Sequence, residues 1–258
     1  MRNAKVEGVS VPILTYHSID ESGSVISTAS DVFRRQMKYL SETNYNVVSL
    51  SDLVRSLVDK TPIPPKTVVL TFDDGFQNFY TAAFPVLTQY RFNATVFLVT
   101  DYCGKYNDWT GNPSDLPRSK LLSWQEIKEL NESGIDFGSH TRSHPDLKKL
   151  PAEKVKKEVV ESKLAIEEAL GCEVTTFAYP YGSYNAAVKR AAEETFGSAC
   201  STKLGKVQRG SDRYSLERVD SYYLSNQKVF NSLSSQSFDR YLKIRRVMRD
   251  FKSLINRN

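Results

Sequence analysis

Thr67-Val68-Val69-Leu70-Thr71-Phe72 runs without a break into Asp73-Asp74-Gly75. Six apolar or β-branched residues in a row predict a strand covered on both faces, as in a parallel sheet. Two adjacent carboxylates at the end of such a strand are costly unless something uses them. The plainer alternative is an exposed turn, because Asp-Gly is a common turn pair. Gly75 lets the backbone turn sharply at that point. The stretch Ala94–Thr100 is nearly as continuous in apolar and β-branched residues. Working outward, further strands are expected at Val11–Ile19, Asn46–Leu50, Asp136–Ser139, Thr175–Tyr179 and Ser198–Ser201. Helical periodicity falls between them, at Asp31–Thr43, Ser51–Asp59, Phe79–Tyr90, Ser123–Ser133, Ala152–Leu170 and Asn185–Thr195.

Strand followed by helix, repeated along the chain, predicts an α/β architecture, either a barrel or a doubly wound sheet. In both, a site belongs at the carboxyl ends of the strands. Ser51 opens one predicted helix as a cap, and Ser123-Trp124-Gln125-Glu126 has the form of a capping box. Gly134 and Gly171 stand just past predicted helices, where a left-handed residue closes the last turn.

A length of 258 residues suits one α/β barrel, and 40% hydrophobic with 25% charged residues is the balance of a folded globular protein. Cys103, Cys172 and Cys200 are odd in number and show no paired spacing, so they read as free thiols, which fits a reducing compartment. The opening Met1–Asp20 has no basic segment followed by a long apolar one. The expectation is a cytoplasmic or membrane-peripheral protein, or an extracytoplasmic one if a leader has been removed. The net charge of +5 is modest, and no nucleic-acid partner is expected. Much of it sits at the end, where Arg240, Lys243, Arg245, Arg246, Arg249 and Lys252 face only Asp239 and Asp250. Tyr241, Leu242, Ile244, Val247, Met248, Phe251 and Leu254 make Phe238–Leu254 an amphipathic helix with a basic face. Most such helices dock on their own domain; a minority lie on anionic membranes. The oligomeric state is left open.

Asp136–Ser139 ends in His140-Thr141-Arg142-Ser143-His144. A His-x-x-x-His spacing puts two imidazoles on one side of a helical turn or tight loop, the arrangement a divalent cation needs. The chain has only three histidines, and two of them fall here, so a surface or core role is the weaker reading. With one aspartate from the end of the Thr67–Phe72 strand they make a facial set with open positions. Zinc is the first candidate; cobalt, nickel or manganese suits the same donors. The third histidine, His17, ends the first strand in Leu14-Thr15-Tyr16-His17. A lone histidine is more often structural. Here it shares a strand end with the other clusters and is the natural general acid. In Thr175-Thr176-Phe177-Ala178-Tyr179-Pro180-Tyr181-Gly182 the rigid proline either simply ends a strand or aims the Tyr181 N–H at a developing oxyanion. Within Asp101–Leu122, Trp109 is either a wall on which a sugar ring stacks or a loop anchor.

Thr71-Phe72-Asp73-Asp74-Gly75, His140-Thr141-Arg142-Ser143-His144 and Phe177-Ala178-Tyr179-Pro180-Tyr181-Gly182, in this order, resemble the polysaccharide deacetylases of carbohydrate esterase family four, with their NodB-homology fold. The resemblance covers about residues 11–222. It implies a single domain over 1–258, a distorted (β/α) barrel of about seven strands with a basic helical extension at about 225–255. It further implies removal of acetyl groups from an N-acetylated glycan by one divalent metal ion. By position, Asp73 would be the base, Asp74, His140 and His144 the metal ligands, and Tyr181 the oxyanion donor. Family members commonly carry an arginine before the Pro-Tyr turn, where this chain has Ala178; Arg218 is either its substitute or an ordinary surface arginine. No histidine follows His144 to fill the usual C-terminal acid position. Pro12-Ile13-Leu14-Thr15-Tyr16-His17 resembles the branch that deacetylates exopolysaccharides such as poly-N-acetylglucosamine, in which the first strand supplies that histidine. Two rivals remain: a metal-dependent hydrolase of a small amide, and a non-catalytic glycan-binding domain.

Overall fold

The structure, a computed structural model, describes residues 10–255, with side chains as far as Phe251; both ends of the expected 1–258 domain lie outside the described residues, and so do the side chains of Lys252 and Leu254. The first half runs β1 (Ile13–Tyr16), β2 (Ser18–Ile19), β3 (Ser27–Thr28), α1 (Ser30–Glu42), β4 (Asn46–Val48), α2 (Leu50–Val58), β5 (Thr67–Phe72), α3 (Phe84–Tyr90) and β6 (Thr95–Leu98). It continues with α4 (Trp124–Glu132), β7 (Asp136–Ser139), α5 (Ala152–Leu170), β8 (Thr176–Ala178) and α6 (Ala186–Thr195). The last elements are β9 (Ser198–Leu204), β10 (Leu216–Asp220), α7 (Gln227–Phe230) and α8 (Gln236–Ile255).

Pairing decides between the two expected architectures. β1 lies parallel to both β5 and β10, so the order β1-β5-β6-β7-β8-β9-β10 closes on itself as a seven-stranded parallel barrel. β4 joins the first half of β5 beside the ring, and β2 and β3 form a separate short ribbon.

Two apolar layers follow from the two-residue period of the strands. Leu14, Val68, Leu70, Val96, Leu98, Phe177, Ala199 and Val219 belong to the large cluster that includes the helices. The alternate residues Ile13, Val69, Phe97, Ala178, Cys200 and Leu216 form the inner cluster with Leu50 and Leu53 of α2. Continuing the inner register toward the carboxyl ends gives Thr15 and His17, Thr71 and Asp73, His140, and Arg218. The barrel therefore changes from apolar to polar along its own axis, and the polar end is where the site forms.

Gly138 in β7 faces this interior. A Cβ there would meet the Phe97 ring at 2.6 Å and Thr176 Oγ1 at 2.5 Å. Gly138→Ala should destabilise by roughly 1–3 kcal/mol through overpacking. A shift in the urea midpoint at unchanged slope would show it; an unchanged midpoint would mean the interior has room.

Several local expectations need correction. Leu216–Asp220 is a strand, although Glu217 and Arg218 interrupt its apolar pattern. The cap of α2 is Ser49, whose hydroxyl accepts from the Asp52 N–H at 2.9 Å, not Ser51. The helix expected at Phe79–Tyr90 begins as a wider π turn over Phe79–Ala83, and Pro85 then sits in the first turn of α3, where its missing N–H costs nothing. The capping box of Ser123 and Glu126 and the left-handed closure at Gly171 are present as expected.

Candidate active site

Asp73 and Asp74 follow β5 directly. The Asp73 N–H donates to the Tyr16 carbonyl across the seam with β1 at 2.9 Å, which fixes where the strand ends. Asp73 is buried, and Arg218 from β10 meets it through two parallel hydrogen bonds, Nη1 to Oδ1 and Nη2 to Oδ2, each 2.7 Å. Arg218 Nε donates to the Ser201 carbonyl at 3.0 Å, so the fork cannot swing away. At 3% exposure this is not a surface arginine. It grips the carboxylate from β10, where Leu216 pairs with Cys200 of β9 and Cys200 in turn pairs with Ala178 of β8, so the guanidinium comes from two strands beyond position 178. Burial pushes the Asp73 carboxyl up, but Arg218, with His140 and His17, outweighs it and holds the group well below the usual carboxylate range.

Asp74 has the opposite environment. Burial raises its pKa, and its Oδ1 has no hydrogen-bond partner. That atom lies 3.5 Å from His140 Nε2 and 3.4 Å from His144 Nε2. One ligand atom from each of the three residues falls within 4.8 Å of the others. His140 Nδ1 donates to the Ala178 carbonyl at 2.7 Å, which fixes the ring with Nε2 facing Asp74. Burial, with His140 nearby, lowers the His144 pKa well below its ordinary value, so this ring is neutral as a ligand must be. An unpaired buried carboxylate oxygen facing two imidazole nitrogens fits a divalent cation, because the cation supplies the charge this cluster lacks.

The backbone here is strained. Asp74, Thr141, His144 and Tyr181 all have φ between 57° and 71°. The left-handed region is expensive for a side-chain-bearing residue, most of all for β-branched Thr141. The His140–His144 segment is thus a tight loop rather than a helical turn. Glu158 of α5 holds it, accepting from the Arg142 and Ser143 N–H groups at 2.9 and 3.0 Å and from the Ser143 hydroxyl at 2.7 Å. Arg142 spreads its side chain to Asp101 and Glu161. Nothing in the sequence marks Glu158, one acid among many on α5. Glu158→Ala should weaken metal affinity by about 10–100-fold through loss of loop geometry. Competition against a chromogenic chelator would measure this, and an unchanged affinity would show that the loop holds itself.

His17 stands across from this set, its Nε2 3.9 Å from Asp73 Oδ2 and its Nδ1 without a partner. Tyr181 packs its half-exposed ring 4.6 Å from that of His144, and its backbone N–H has no acceptor among the described residues. Trp109 is 3% exposed, with its ring 4.6 Å from His144 and 5.6 Å from Tyr102. A stacking wall needs an open face, which the indole lacks: it is a loop anchor that backs His144. Two clefts open onto the site. One of about 360 Å³ is lined by His17, Asp73 and Arg218 together with Val25, Tyr222 and Arg249; the other, about 490 Å³, reaches Tyr181. The sequence reading missed Tyr222 and Arg249, which lie beyond every motif.

Fold and site together define a closed parallel (β/α) barrel with a candidate divalent-metal centre and an arginine-held carboxylate at its polar mouth. The chain belongs to the polysaccharide deacetylase family, whose profile matches residues 60–196. It is 29% identical over 234 residues to YxkH of Bacillus subtilis (strain 168), which carries a polysaccharide deacetylase name, covering 90% of this chain and 76% of that one. The poly-beta-1,6-N-acetyl-D-glucosamine N-deacetylase of Staphylococcus epidermidis is 30% identical over 62% of this chain, a stretch that spans 55% of that relative. Among solved structures, the Streptococcus pyogenes deacetylase PplD in complex with acetate superimposes with a TM-score of 0.73 at 27% identity, covering 83% of this chain and 92% of that one.

Proposed function

We propose that this protein is a metal-dependent hydrolase that removes N-acetyl groups from an amino-sugar polymer, of the poly-N-acetylglucosamine kind, and releases acetate. The observation that carries the reading is the division of labour between two adjacent aspartates. Asp73 is clamped as a carboxylate by Arg218, while Asp74 faces His140 and His144 with an unpaired oxygen.

Asp74, His140 and His144 would hold the ion, with zinc the first candidate and cobalt, nickel or manganese suited to the same donors. When bound, a divalent cation supplies Lewis-acid chemistry, polarising an acetyl carbonyl and making water a better nucleophile at neutral pH. Asp73 takes the proton of the attacking water, and Arg218 keeps both of its oxygens in place for that transfer. The Tyr181 N–H donates to the oxygen that gains charge as the carbonyl becomes tetrahedral. His17 gives a proton to the sugar nitrogen as the C–N bond breaks, so that an amine rather than an amide anion leaves. The named activity of the Staphylococcus epidermidis relative and the first-strand position of His17 support the glycan as substrate.

Acetate release tests this against the rival readings, using β-1,6- and β-1,4-linked N-acetylglucosamine oligomers beside a small aryl acetamide. The oligomers should be turned over with kcat/KM at least about a hundredfold higher, because remote sugar contacts contribute binding energy to the transition state. The reverse ranking would favour a small-amide hydrolase. No release from any of them by metal-loaded protein would favour a binding domain.

A further inference from the structure

We propose that the outer face of α8 lies on an anionic lipid bilayer. α8 is already docked by its other face. Phe238 and Leu242 are buried, the Tyr241 hydroxyl donates to the Tyr223 carbonyl at 2.9 Å, and Arg249 Nη1 donates to the Thr202 carbonyl at 2.7 Å. Arg246 pairs with Glu217, and Lys206 with Asp239. A helix held in this way needs no second apolar face, yet α8 has one. Ile244, Val247, Met248 and Phe251 are 60%, 68%, 58% and 64% exposed. Their spacing of three, four and seven residues puts them on one stripe, opposite Phe238 and Leu242. Single exposed apolar side chains are ordinary; four large ones on one stripe mark a surface that something covers.

Charge selects the occupant. Arg240 and Lys243 beside the stripe are exposed and have no acidic partner among the described residues. A second copy packed symmetrically on the stripe would set this basic border against itself. Anionic headgroups complement it, and their acyl region accepts the four apolar side chains. No described helix is long and apolar enough to cross a membrane, so α8 lies along the interface rather than through it. Arg245 and Arg249 of the same helix line clefts shared with Val25 and Tyr222, both exposed, and one of those clefts contains His17 and Asp73. Lipid contact through α8 would hold that cleft near the surface. The inference stands on the helix itself and not on the proposed reaction.

Flotation of the full chain with phosphatidylcholine vesicles, with and without about 30% phosphatidylglycerol, tests it. The protein should float with the anionic vesicles and at least about tenfold less with the neutral ones. Val247→Asp combined with Phe251→Asp should lower binding about tenfold or more, with unchanged circular dichroism and melting temperature because both sites are exposed. Arg240→Glu combined with Lys243→Glu should weaken anionic binding at low salt and much less at high salt. Binding by the parent chain no greater than by the aspartate variant would overturn the proposal. So would a dimer, seen by light scattering, that the aspartate variant splits and that ignores lipid.

Discussion

Arg218→Met should destabilise the metal-free protein by about 3–5 kcal/mol, the cost of leaving one half of a buried ion pair alone. The two 2.7 Å hydrogen bonds to Asp73 disappear, and among the described residues no lysine or other arginine pairs with it. The pH dependence should reverse as well. In the parent chain the Asp73 carboxyl lies well below its ordinary range, so its contribution is present above the unfolded carboxylate pKa and lost as pH falls toward the folded value. Without Arg218, burial becomes the dominant influence and raises the folded pKa. The variant then favours protonated Asp73 and loses stability as pH rises through that value. Urea unfolding at about pH 5 and pH 8 should show a larger deficit at the higher pH. Adding Asp73→Asn should recover more than half of the loss, because the stranded charge is gone. A deficit that ignores pH and is not recovered in the double variant would show that Arg218 acts through packing alone.

Asp74→Asn should separate binding from stability. The side chain keeps its shape and tolerates the left-handed backbone at φ 71°, but loses the charge that no hydrogen bond satisfies. Burial already raises the Asp74 pKa, so neutralising it should leave the metal-free melting temperature unchanged or higher. In the parent chain, metal at a thousand times its dissociation constant adds about 4 kcal/mol of apparent stability. That gain should vanish in Asp74→Asn, along with acetate release. Metal-induced stabilisation equal to that of the parent would remove Asp74 from the ligand set.

Thr67–Phe72 and Ala94–Thr100 made a parallel α/β sheet legible, because unbroken apolar composition is buried on both faces. The choice of barrel over doubly wound sheet came from the motif resemblance and is decided by the pairing of β1 with β5 and β10. Asp73, Asp74, His140 and His144 were legible because rare or costly residue types stood at predicted strand ends. β10 was not: Glu217 and Arg218 break the pattern that marks a strand, and Arg218 is buried only because Asp73, 145 residues away, neutralises it. The Glu158 clamp was equally hidden, since a helix rich in acids gives no sign of which one turns inward. The left-handed backbone at Thr141 has no signature either, as a β-branched residue disfavours that conformation. Trp109 was ambiguous because stacking and anchoring call for the same ring. Only its burial against His144 decides the matter. In α8 the periodicity revealed the helix, but not which of its apolar residues would remain outside after docking.

On the proposed reading, Asp74, His140 and His144 hold a cation while Asp73 acts as the base beside it. The most direct test of that reading is acetate release from N-acetylglucosamine oligomers by protein stripped with chelator and then given zinc, cobalt or nickel, with bound metal quantified in the same samples. Release should be lost on stripping and return as about one ion per chain is taken up. Asp73→Asn should bind the ion yet release no acetate. Undiminished release from metal-free protein, or from Asp73→Asn, would contradict it.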